Sequence, residues 1–190
     1  MSTLAIYLIS LSFLITASFV VLRVYVRRDY LQRGHLTSGT AVLQALIFFT
    51  FGGFSIIYLP GDWPISHVFP ILRVTGLTCM TIGLAVIFIG MFRLGILRSL
   101  GLQTGVMKNT DFYRVTRNPQ VLGCFLYVVA FIILWPSWYA LGWGLSLMAV
   151  IHVMVLTEEE HLRSTFRQDY EQYCNFVPRY LGYPKNQDRK

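Results

Sequence analysis

Charge is scarce in this chain: 13% of its 190 residues are Asp, Glu, Lys or Arg, against 55% hydrophobic, and the mean hydropathy is +0.55. That composition argues against a soluble globular domain. Cysteine is scarcer still. Cys79, Cys124 and Cys174 show no paired spacing, which argues against a disulfide framework and against a thiolate metal site. His35, His67 and His161 have no partners at metal-ligand spacing, so no metal is expected. No strand leads into a Gly-rich turn, so no Rossmann-type nucleotide site is expected. Residues 1–3 lack a basic side chain and the arginines follow the apolar run, so the N-terminus reads as a retained anchor, not a cleaved signal.

What the chain does have is long apolar runs. They predict an all-α polytopic membrane protein, one domain over residues 1–190, with spans of roughly 20 residues each. The spans fall at about 4–22, 40–59, 71–92, 119–135 and 139–157, and a polar tail follows at 158–184. Fifteen of the sixteen basic residues then lie on one side, Arg73 being the exception. By the positive-inside rule that side is cytoplasmic, with the N-terminus outside and the C-terminus inside. The net charge of +7 thus reads as topology and contact with membrane lipids, not as a nucleic-acid surface. Trp63, Trp135, Trp138 and Tyr139 gather at the opposite ends of the spans, as an interfacial belt.

Two polar groups meet the membrane on the basic side. Asn118 and Pro119 suit the N-cap and first position of the fourth span, which is the plain reading of Arg117, Asn118 and Pro119. Tyr113, Arg114 and Arg117 add a ring and two guanidinium groups fit for a carboxylate or phosphate. The second group follows the fifth span on a continuing helix. There Glu158, Leu162, Phe166, Tyr170 and Tyr173 recur every three or four residues and share a face. Glu159 leans toward the side of His152. The plain reading is an amphipathic surface helix with Glu159 paired to Arg163. A cluster of acids beside an anionic leaflet fits a cationic ligand better. His152 is expected to hydrogen-bond inside the bundle, and Gly142, Trp143 and Gly144 to serve close helix packing.

Residues 113–123 (YRVTRNPQVLG), residues 158–173 (EEEHLRSTFRQDYEQY) and then Val177, Pro178 and Arg179 resemble the isoprenylcysteine carboxyl methyltransferase-like family and the related phospholipid methyltransferases. The chain departs from that pattern at Val121, where Tyr is frequent, at Arg167, where Gly follows the Phe, and at Asp111 and Phe112, in place of Gly-Pro. The resemblance implies an S-adenosylmethionine-dependent methyltransferase and a lipophilic acceptor entering from the bilayer. It implies cofactor contacts from Tyr113, Asn118, Pro119, Gly123, Glu158, Glu159, Tyr170, Tyr173 and Pro178. Arg117 or Arg179 would orient a carboxylate acceptor, whereas an amine or thiol would need Glu158 or Glu159 as base. The two glutamates are expected first as cofactor ligands. Two competing readings are a membrane reductase of the sterol type using a reduced nicotinamide cofactor, and a non-catalytic scaffold or lipid-binding protein.

Overall fold

Ser2 starts the first helix: its hydroxyl accepts from the Ala5 N–H at 3.3 Å, satisfying one of the donors a helix start leaves open. The computed structural model describes residues 2–58, 68–95, 97, 101–102 and 111–182, with the side chains of 56–58, 111 and 112 left out. Trp63, His67, Arg98, Lys108 and the tail from residue 183 therefore lie outside the described residues.

Among the described residues, five long helices make the fold. Helix α1 (Thr3–Arg33) passes through a π segment, Val21–Val26, and stops at Gly34, whose φ of 75° is left-handed and suits glycine. It runs well beyond the span expected at 4–22. Helix α2 is Ser38–Tyr58. Its start is tied to α1 by buried Asp29, which accepts from the Thr37 N–H at 3.0 Å and hydroxyl at 2.7 Å. Helices α3 (Pro70–Leu94) and α4 (Pro119–Leu134) both open on proline, which is preset for the first helical position and has no N–H to leave unpaired. Helix α5 (Trp138–Phe176) is 39 residues long and capped by Ser137. Among the described residues four helices are long and apolar enough to cross a membrane; α4, at 16 residues, is the shortest of the five.

Apolar surface alone does not drive helices together in lipid, so close backbone approach and hydrogen bonds must do so. In α3, Gly76, Gly83 and Gly90 recur every seventh residue along the face turned to α4. A Cβ at Gly83 would sit 2.7 Å from the Gly123 carbonyl, and one at Gly123 would sit 2.7 Å from that of Gly83. Two backbones in contact leave no side chain to yield, so the α3–α4 hairpin is a tight unit. Gly144 likewise meets Val128 of α4 and Gly142 meets Tyr7 of α1, the packing role expected of that triplet. Helix α5 is the centre of the bundle and touches α1, α2 and α4.

The two ends differ in chemistry. At one, the Tyr7 hydroxyl donates to the Tyr139 carbonyl at 2.8 Å, Tyr7 packs on Phe54, and Trp135 stacks on Phe131. At the other lie the arginines of α1, the start of α4 and Glu158, Glu159 and Glu160 of α5. Helix α2 packs on α1 and α5 while α3 packs on α4, and the space between these two groups is the cavity described next.

Candidate active site

The tail returns to the start of α4 through backbone contacts. Arg117 N–H donates to the Pro178 carbonyl at 2.9 Å. The Asn118 side-chain amide and the Thr116 hydroxyl both donate to the Arg179 carbonyl, at 3.1 and 3.2 Å. Asn118 makes no side-chain cap on α4, so the plain N-cap reading gives way: its amide holds the tail, and its own N–H is taken by the Thr116 hydroxyl at 3.2 Å. Thr116, 3% exposed, was not among the expected residues. Only a hydroxyl two positions before Asn118 hinted at it.

This stitching delivers two guanidinium groups to one carboxylate. Glu159, 2% exposed, meets Arg179 at 2.9 Å from Nε and 2.7 Å from Nη2, and Arg117 Nη1 at 3.0 Å. Arg163 stands 3.8 Å away and shares itself with Glu171 at 3.0 Å. The expected Glu159–Arg163 pair is thus the outer edge of a denser cluster. Arg117 also reaches the Tyr170 hydroxyl at 3.5 Å and Cys174 Sγ at 2.8 Å. Burial, then the Glu159 charge, pushes the Tyr170 phenol well up, so it remains a neutral donor or acceptor.

Glu158, one residue away, has a different fate. Adjacent helix positions point about 100° apart, and Glu158 lines the cavity half-buried with no ion pair among the described residues. Burial, then the neighbouring Glu159 charge, raises its carboxyl to about 7. Tyr113 stands within range of that charge; burial first and Glu158 second push its phenol to about 12. Tyr173 donates to the Tyr113 main-chain carbonyl at 2.7 Å and ties that backbone to α5 at the cavity wall. Tyr30 of α1 lines the same end, stacked on His161 at 4.6 Å and 7°.

Glu160, the third acid of the run, was also missed. Arg27 Nε lies 2.9 Å from both its oxygens and Arg23 3.4 Å from one. The Arg27 hydrogen bond, against the opposing effect of burial, holds Glu160 below the ordinary carboxylate range. The signal was the one-turn spacing of Arg23 and Arg27, which places both on one face of α1.

Other expected residues are spread around this centre. Pro119 opens α4 and lines the cavity. Gly123 lies against α3. Pro178 and Arg179 act on the loop and on Glu159 as described. His152 is exposed, not enclosed by the bundle, and its Nδ1 meets the Tyr180 hydroxyl at 2.7 Å. Among the described residues no group of three His, Cys, Asp or Glu is placed to hold a metal ion.

Arg167 explains how the acidic helix bends. Its φ of 45° and ψ of −116° break α5, in a region that strains any residue with a Cβ. Glycine fits this backbone without strain, which is the physical sense of the Gly in the resembled pattern. Arg167→Gly is expected to stabilise the protein by about 1 kcal/mol, read as a higher midpoint of thermal unfolding in detergent.

The cavity itself has a volume of 1160 Å³. Its polar end carries Glu158, Tyr113, Arg114 and Arg117; its remainder is walled by apolar residues of α2, α3, α4 and α5, among them Phe48, Ile87, Leu147 and Ile151. Neither a curated protein nor a solved structure matches the chain. The family model for phospholipid methyltransferase matches residues 71–169, which takes in α4, the loop before it and the acidic part of α5 as far as the break. With that match over just over half of its length, the chain belongs to the phospholipid methyltransferase family.

Proposed function

We propose that this protein transfers a methyl group from S-adenosylmethionine to a lipophilic acceptor at the cytoplasmic face of a membrane. The observation that carries this reading is a cavity that joins a polar, acid-lined end to an apolar interior. A soluble ligand and a lipid are served by the same space.

The residues suit the cofactor by their donor set. Glu158 offers a carboxylate to an ammonium group or to ribose hydroxyls. Arg114, exposed and without an ion-pair partner among the described residues, suits a carboxylate. Arg117 Nε is buried with no hydrogen-bond partner, a further donor at that end. The faces of Tyr30, Tyr113 and Phe166 favour a flat base or a cationic sulfonium. When bound, S-adenosylmethionine supplies an electrophilic methyl group.

The protein's own part is to hold and orient. Glu159, with Arg117 and Arg179, clamps the α4 loop and the tail into one wall, so it acts as a positioning residue. Glu158 is the group that faces the ligands. A carboxyl near 7 is matched to taking a proton from an amine or thiol acceptor at neutral pH, while a carboxylate acceptor needs only orientation by an arginine. Most of the rate enhancement comes from holding the acceptor atom about 3 Å from the methyl group. The basic, polar end of the bundle is cytoplasmic by the charge asymmetry, with the N-terminus outside.

The test is incubation of the detergent-purified protein with methyl-labelled S-adenosylmethionine and long-chain amines, carboxylates and thiols in turn. Label in the solvent-extractable product of one class supports the reading and names the nucleophile. No label in any class, with the protein folded and the donor bound, overturns it.

A further inference from the structure

The cavity exceeds the usual size of a small-ligand pocket, about 300–1,000 Å³, and its apolar part lies at membrane depth. Along α5 the wall runs from Glu158 through Met154, Ile151 and Leu147 to Trp143, a rise of about 22 Å at 1.5 Å per residue. Along α2 it runs from Ala41 to Gly52, about 17 Å by the same rise. Trp143 closes the deep end. It is 3% exposed, and its indole N–H donates to the carbonyl of Phe51, itself 1% exposed, at 2.9 Å. A hydrogen bond between α5 and α2 across the base of an apolar groove makes a rigid floor. Phe49, which precedes the floor on α2 and lines the cavity, is 81% exposed, so the groove meets the bilayer sideways above its floor.

We infer that this groove seats one long alkyl chain of the acceptor and that the Trp143–Phe51 contact measures its length. This rests on the methyltransferase reading only for the identity of the chain's owner. An extended chain advances about 1.2 Å per bond, from about 3.5 Å per three-bond residue, so 17–22 Å holds roughly 14 to 18 bonds. One leaflet of a hydrocarbon core about 30 Å thick is about 15 Å deep, so the groove takes a full-length lipid chain and excludes a much longer one. Helix α2, which forms one wall and half of the floor, lies outside the family-matched residues 71–169. The groove therefore joins a wall from the matched α5 to a wall and half-floor from this chain's own N-terminal half.

The experiment uses the full-length protein in nanodiscs of fixed lipid and a series of n-alkan-1-ols as probes, with the unfolding midpoint as readout. In the wild type the stabilisation is expected to grow with chain length up to about 16 carbons and then to stop. Leu147→Trp fills the groove one turn above Trp143 and is expected to move this break about five carbons shorter. Leu147→Phe should move it by fewer, and serves if the tryptophan variant fails to fold. A series without a break, or a break unmoved in a folded variant, overturns the inference. Titration of the same wild-type nanodiscs with S-adenosylmethionine separates the two readings: its failure removes the methyltransferase, whereas the alkanol break alone decides the chain site.

Discussion

Glu159→Ala is expected to destabilise the protein by about 3–5 kcal/mol, the cost of leaving buried charges without their partner. Glu159 is 2% exposed and receives Arg179 through two hydrogen bonds and Arg117 at 3.0 Å. Removing it leaves Arg117, whose side chain is 11% exposed, with only the Tyr170 hydroxyl and the Cys174 thiol as side-chain neighbours at hydrogen-bonding distance among the described residues. The α4 loop and the tail then keep their hydrogen bonds to the Pro178 and Arg179 carbonyls and those of Tyr173 and Tyr180, but lose the ion cluster that joins them. The check is thermal unfolding in detergent, with proteolysis of the tail as a local probe. Glu159→Gln keeps the shape and some hydrogen bonds but not the charge, so it should fall between alanine and wild type. A wild-type melting curve for Glu159→Ala would mean that the ion cluster does not hold the tail.

The neighbouring substitution should act in the opposite sense. Glu158→Gln is expected to make the unliganded protein more stable at pH 8 while lowering the affinity for a cationic cofactor at least tenfold. The carboxyl is raised from its ordinary 4.5 to about 7, so the folded state holds the proton more tightly than the unfolded state does. Its contribution to stability is complete below pH 4.5 and is lost as pH rises through 7. At about 1.4 kcal/mol per unit, and discounted because Glu158 borders an open cavity, the loss is about 1–2 kcal/mol. Wild-type stability should therefore decline between pH 5 and 8 by that amount more than that of the variant. Binding of a cationic ligand needs the ionised form, so wild-type affinity should rise toward pH 8 and flatten above it. Equal pH profiles in the two proteins would show that Glu158 is not the titrating group. A group that weakens the empty protein and binds the ligand fits the common trade of stability for function.

Much of this was legible in the residues. The apolar runs gave the helices because a span must satisfy its own backbone hydrogen bonds. The three- and four-residue spacing of Glu158, Leu162, Phe166 and Tyr170 announced one face, and all four do line the cavity. What the spacing did not tell was which of two adjacent glutamates would be enclosed. That depends on where Arg179 returns, and a contact between residues 159 and 179 is a matter of tertiary packing. The overrun of α1 was hidden for a related reason: a π segment and a polar stretch look like the end of a span, but Arg23 and Arg27 continue the helix because Glu160 is there to receive them. Tyr30 and Thr116 were missed because neither sits in a motif. Arg167 was visible as a departure from a glycine, but its consequence appears only in its positive φ.

The most direct measurement is calorimetric titration of S-adenosylmethionine and S-adenosylhomocysteine into the detergent-purified protein, with a reduced nicotinamide cofactor as control and Glu158→Gln alongside. Saturable binding of the first two, weakened in the variant, with none of the control, is the predicted result. Binding of the control alone, or of none of the three by a folded wild type, would contradict a methyltransferase site built around Glu158.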